Sequence, residues 1–190
     1  MNNTYFILRH GQTIYQAEEK GITYPWPEPS PIFLTEKGKK DVGESAKELK
    51  DKNIDIIYSS DIPRVRQSAE IVSKETGKEI IFDVRLRDID HGIFKGRPQE
   101  EYLLFFSDSK EKLYKRPLQG ENWNDVKERM LGFLKEIDGK YKNKRILIVS
   151  HKGPLWILEA ALRKLSDEDV LELKEKGLFP GQFRELKNNL

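Results

Sequence analysis

Three short apolar runs set the tightest limit on how this chain can fold. Tyr5-Phe6-Ile7-Leu8, Ile54-Asp55-Ile56-Ile57-Tyr58 and Ile146-Leu147-Ile148-Val149 are rich in β-branched or aromatic residues and too short for helices. Two of them are almost unbroken in apolar character, the pattern of strands covered on both faces in a parallel sheet. A weaker fourth run is Glu79-Ile80-Ile81-Phe82. Helical patterns alternate with these runs. Thr35 offers an N-cap, after which Val42, Ala46 and Leu49 recur at helical spacing until Asn53. Asp61 and Pro63 open a second helix, with Val65, Ala69 and Val72 on one face and Gly77 at its end. Trp123, Val126, Met130, Phe133, Leu134 and Ile137 form the strongest amphipathic stripe, closed by Gly139, and Pro154 opens a last apolar helix through Leu162. The alternation predicts an α/β fold, a three-layer α/β/α sandwich around a mostly parallel central sheet.

Two segments resist that pattern. Prolines at 25, 27, 29 and 31 force an extended path around Tyr24 and Trp26. From Asp83 to Glu121 strand signals are few, apart from an aromatic helical piece at Tyr102, Phe105 and Phe106. Both read as excursions above the sheet edge, at about 14–34 and 88–121, where function tends to reside. With no repeat and no linker, residues 1–190 read as a single domain. Residues 177–190 fit either a short edge strand or a tail over the site.

The absence of cysteine excludes disulfides, thiolate metal sites and cysteine nucleophiles. The 34 basic residues are nearly matched by 32 acidic ones, a balance that argues against a nucleic-acid partner. No apolar run approaches a membrane span, and the first one ends at Arg9-His10 without a preceding basic region. A cytoplasmic protein without a membrane partner is expected. The oligomeric state is not legible.

Chemistry concentrates where the strands end. Leu8-Arg9-His10-Gly11-Gln12-Thr13 follows the first strand, and Val149-Ser150-His151-Lys152-Gly153-Pro154 follows the last. Ser59-Ser60-Asp61-Ile62-Pro63-Arg64 follows the second and places Arg64 in the first turn of a helix. Ligands in open α/β sheets bind at the carboxyl ends of strands. Arginine presents a planar fork of donors to a dianionic phosphate, and histidine offers a neutral nitrogen nucleophile near pH 7. Glycine after His10 lets the backbone approach a ligand closely. Of three histidines in the chain, two stand directly after buried strands.

The Leu-Arg-His-Gly-Gln-Thr run resembles the signature of the histidine phosphatase superfamily, which includes cofactor-dependent phosphoglycerate mutases. Further motifs resemble it in order: Ser59-Ser60-Asp61 with Arg64, Gln67 and Ala69; Leu86-Arg87-Asp88-Ile89-Asp90-His91-Gly92 with Gly96; Gly120-Glu121; and Val149-Ser150-His151. The resemblance implies a phosphoglycerate mutase-like fold and phosphomonoester hydrolysis, without metal or cofactor, on a small phosphorylated metabolite. His10 would attack phosphorus and become phosphorylated, its other ring nitrogen holding a proton on a backbone carbonyl. Arg9, Arg64 and, if protonated, His151 would clamp the phosphoryl oxygens, with Thr13 and Gln16 among the phosphate-binding residues. Asp88 would protonate the leaving group and then activate water.

The sequence departs from the family pattern in three places. Asp88 stands where phosphatase-like members carry Glu, so Asp90 and His91 compete for the role of acid. Gln16 stands where Asn is frequent, and Lys152 where Gly is common. Gln12 and Lys152 are weaker site candidates, and Arg87, Lys95 and Arg97 offer either a second anion site or a solvated face. The rival readings are phosphoglycerate mutase-type transfer, and a phosphate-binding or phosphoprotein-directed member of the same fold. The chain is shorter than typical family mutases, which favours hydrolysis.

Overall fold

The computed structural model of the protein describes residues 1–186. Four parallel strands and one antiparallel edge strand form a sheet in the order β3-β2-β4-β1-β5. They are β1 (Thr4–Arg9), β2 (Ile56–Ser59), β3 (Ile80–Phe82), β4 (Arg145–Ser150) and β5 (Phe183–Glu185). The alternating side chains of the inner strands feed two cores. Tyr5, Ile7, Ile146 and Ile148 face one side, while Phe6, Leu8, Leu147 and Val149 face the other. Both faces are apolar because both are covered.

On the first face lie α6 (Trp123–Lys140) and α7 (Lys152–Leu162), with α8 (Asp167–Glu175) beyond. On the second lie α2 (Glu36–Asp51) and α3 (Pro63–Thr76). The expected three-layer sandwich is what the chain forms. Thr35 caps α2 by accepting a hydrogen bond from Gly38 N–H at 3.0 Å, and Gly77 closes α3 at φ +70°. Asp61, expected to start α3, does not cap it. Ile62 takes the cap position, and the Asp61 carboxylate instead binds Arg87 at 2.7 and 2.5 Å. The second strand starts at Ile56 rather than Ile54, because the Asp55 side chain accepts the Arg145 N–H at 2.8 Å.

The two excursions carry short elements of their own. The first holds α1 (Ile14–Ala17). The second holds single 3₁₀ turns at Val84–Leu86 and Gly92–Phe94, then α4 (Gln99–Leu104) and α5 (Glu111–Tyr114). Phe94, Tyr102 and Phe106 form a separate small core within it. The C-terminal segment resolves into both earlier possibilities. It adds β5 to the sheet edge, and the stretch before β5 packs against the start of the site. Residues 187–190 lie outside the described part.

Candidate active site

Sheet register brings the three strand-end motifs together. Arg9 pairs with Ser150 across β1 and β4, and His10 N–H donates to Ser150 O at 3.1 Å. The residues that follow, His10 and His151, therefore meet edge to face with ring centroids 5.3 Å apart. On the other side of β4, Ser60 N–H donates to Val149 O, which sets Ser60 Oγ 3.3 Å from His151 Nε2. In the first turn of α3, Arg64 reaches the same point: its Nη2 lies 3.3 Å from His151 Nδ1.

His10 is 3% exposed, and its Nδ1 lies 2.8 Å from Gly11 O. Nitrogen facing a carbonyl at that distance carries the proton, which leaves Nε2 with the lone pair. Burial pushes the His10 pKa well below the ordinary histidine value, and the nearby Arg64 and Arg9 charges push it further; only Gly11 O acts the other way. His151 is held low for the same reasons, burial first and Arg64 second. Both rings are therefore neutral near pH 7.

The cations around them are unevenly engaged. Arg64 is 1% exposed; its Nη1 donates to Glu28 Oε1 at 2.7 Å, and its guanidinium lies 3.9 Å from the centre of the Tyr24 ring. Arg9 donates through Nη1 to Leu178 O at 2.9 Å. Yet Nε of Arg9 and Nε of Arg64 are buried with no hydrogen-bond partner among the described residues. Two orphaned guanidinium N–H groups beside two neutral histidines form a cradle for a ligand rich in acceptor oxygens. Tyr24 roofs it, its hydroxyl 2.7 Å from Thr13 Oγ1 and its ring stacked on Tyr15.

The expected acids separate clearly. Asp88 Oδ2 lies 3.5 Å from His151 Nδ1 and 3.8 Å from Arg64 Nη2. Asp90 turns away, accepting from Gly92 N–H at 2.7 Å and pairing with Lys95 at 3.0 Å. His91 packs on the edge of Tyr102 at 4.6 Å, inside the second excursion, where burial lowers its pKa. Gln16 Oε1 accepts from Thr13 N–H at 3.0 Å, so its amide N–H groups are what it can offer a ligand. Gln12 accepts from Thr35 Oγ1 at 3.0 Å and serves the start of α2. Lys152 opens α7 and borders a cavity beside Trp123 and Tyr102. Arg87, Lys95 and Arg97 are each ion-paired, with Asp61, Asp90 and Glu101.

Gly11 also has a packing role. Its φ is not positive, and a Cβ there would lie 2.5 Å from Gly38 O, so glycine serves the close approach of this loop to α2. Three contributors had no sequence signal strong enough to find them. Glu28 balances Arg64 from the proline-rich segment. Gln67, noted only as part of a motif, accepts Leu34 N–H at 2.8 Å and anchors that segment's far end. Arg129 on α6 binds Glu121 at 2.9 Å, and donates to the carbonyls of Arg85, of Arg87 at 2.8 Å and of Asp88 at 3.0 Å. That single guanidinium holds the loop that carries Asp88. Among the described residues no group of three His, Cys, Asp or Glu side chains is placed to hold a metal ion, and no helix is long and apolar enough to cross a membrane.

Known proteins share this fold and sequence pattern. A sequence profile of the histidine phosphatase superfamily (branch 1) matches residues 5–176. Phosphoserine phosphatase 1 of Hydrogenobacter thermophilus is 31% identical over 134 residues; the match covers 68% of this chain and 64% of that relative, just under two thirds of its length. A 2,3-bisphosphoglycerate-dependent phosphoglycerate mutase of Parvibaculum lavamentivorans is 30% identical, with 91% of this chain and 86% of that protein covered. A mycobacterial glucosyl-3-phosphoglycerate phosphatase superposes with a TM-score of 0.79 at 23% identity, over 96% of this chain and 88% of that one, a likeness of fold.

Proposed function

Since the chain belongs to the histidine phosphatase superfamily, we propose that it is a phosphomonoester hydrolase working through a phosphohistidine on a small phosphorylated metabolite, without a metal. The observation that carries this reading is the buried, neutral His10 with its Nδ1 proton fixed on Gly11 O, beside two guanidinium groups with unpartnered Nε donors.

A phosphate ester repels nucleophiles through its own oxygens, so the site must neutralise charge and hold the reactants in line. Arg9, Arg64 and the amide of Gln16 take the nonbridging oxygens. The His10 Nε2 lone pair attacks phosphorus; the ester P–O bond breaks, and the departing oxygen takes the proton of Asp88. The Asp88 carboxylate then removes a proton from water, whose oxygen attacks phosphorus; the P–N bond breaks and its electrons return to Nε2. The bound dianion raises the proton affinity of His151, which then donates to a phosphoryl oxygen. Arg64 beside Asp88 fits both duties, since it holds the oxygens and keeps the acid near them.

A mutase remains the rival, favoured by the relative from Parvibaculum lavamentivorans. The deciding experiment is phosphate release from p-nitrophenyl phosphate in excess EDTA, with wild type and His10→Ala side by side. Turnover that survives EDTA and disappears in the variant is the expected result. Isomerisation of 3-phosphoglycerate without phosphate release would establish the mutase instead.

A further inference from the structure

Beside Asp88 and Arg64 opens a cavity of about 350 Å³, the space available to whatever alcohol the phosphate is attached to. Trp26, Ile62, Val84 and Ile89 supply its apolar wall. Its charged wall differs in kind from the phosphoryl cradle. Arg87 gives both arms of its fork to Asp61, at 2.7 and 2.5 Å. Lys95 is held by Asp90 at 3.0 Å. Arg129 binds Glu121 and three backbone carbonyls. Arg64, shared with the cradle, is matched by Glu28. Each of the four cations on this wall thus has a carboxylate of its own. The remaining carboxylate, Asp88, is the acid of the reaction. With Glu28 and Asp61 standing behind the lining, the four cations are balanced, and the wall offers acceptor oxygens from Glu121 and Asp90 together with the Gln119 amide.

Resting on the hydrolase reading above, we propose that the leaving group is an uncharged polyhydroxy alcohol, and that this cavity selects against esters carrying a second anion. A carboxylate or second phosphate entering here finds every cation already held by an opposite charge. It must either lose hydration without a partner or pull apart an existing pair, both costly. Hydroxyl groups meet no such conflict, since they donate to the carboxylate oxygens and leave the pairs intact. An amino alcohol gains nothing special, because each carboxylate on the wall already faces a cation, Asp88 included through Arg64 at 3.8 Å.

Glycerol 3-phosphate and 3-phosphoglycerate test this as a matched pair, differing by a hydroxymethyl group in place of a carboxylate; phosphoethanolamine adds a cationic ester of similar size. The expected kcat/KM for glycerol 3-phosphate exceeds that for each of the other two by about tenfold or more. In Asp61→Asn, which frees the Arg87 fork, the gap to 3-phosphoglycerate narrows about tenfold while turnover of p-nitrophenyl phosphate holds. Several results overturn the proposal and leave the hydrolase standing: equal or faster release from 3-phosphoglycerate or phosphoethanolamine, an unchanged gap in Asp61→Asn, or no release from glycerol 3-phosphate by enzyme active on p-nitrophenyl phosphate. Loss of all release, p-nitrophenyl phosphate included, removes the hydrolase reading and this inference with it.

Discussion

Acidification should destabilise this protein through its buried histidines before its carboxylates titrate. In the unfolded chain a histidine has a pKa of about 6.5, whereas His10 and His151 are held well below that in the fold, chiefly by burial. The folded state therefore binds fewer protons than the unfolded one. Stability from each ring is fully present above pH 6.5 and is lost as pH falls below it. Between pH 7.5 and 5.5 a ring that stays neutral in the fold loses about 1.4 kcal/mol, so the pair together loses about 2.7 kcal/mol. His91, also lowered by burial, acts in the same direction. The assay is urea unfolding at both pH values in phosphate-free buffer, for wild type, His10→Asn and His151→Asn. Asparagine keeps an amide N–H near the Nδ1 position, so the Gly11 carbonyl retains its donor. Each variant should remove about 1.4 kcal/mol of the pH dependence, whatever it does to stability at pH 7.5. A wild-type pH dependence retained in both variants would refute the neutrality of the rings, and with it the lone pair assigned to His10 Nε2.

Two further outcomes probe the acid and its support. Asp88→Ala should slow an alkyl phosphate by about 100-fold and p-nitrophenyl phosphate by less than about tenfold, since a good leaving group needs little protonation; steady-state kinetics on both esters checks it, and equal losses would assign the acid elsewhere. Arg129→Met should show the same alkyl-over-aryl bias in weaker form, because it acts through the position of Asp88, together with about 1–3 kcal/mol of lost stability in urea for the stranded carbonyls.

The layers were legible because periodicity is a local property. Val65, Ala69 and Val72 repeat at helical spacing, and Ile146 to Val149 are apolar without a break, whichever residues they eventually touch. The strand-end motifs were legible for a related reason: in a parallel sheet, residues just past neighbouring strands must converge. Glu28 and Arg129 were not legible. Each is one of many charged residues in the chain, and each matters only through a partner distant in sequence, Arg64 for one and the Asp88 loop for the other. The stretch between Asp83 and Glu121 lacked a pattern because it is tied down by such charged tethers and a three-residue aromatic core. The glycine after His10 was legible as a close approach, but the sequence does not say what approaches; the answer is the backbone of α2. A three-residue strand such as β5 is too brief to carry a period.

The motif that follows β1 is completed by residues far along the chain. Arg9 hands a donor to Leu178 O, and Gly181 N–H returns a bond to the carbonyls of Arg9 and His10. β1 itself finds its neighbours only in β4 and β5. His10 therefore leaves the ribosome well before β4 and residues 178–181 exist to give it its final surroundings. Until then an apolar N-terminal strand waits without an edge to pair, the slow, non-local closure that leaves a nascent chain most in need of protection.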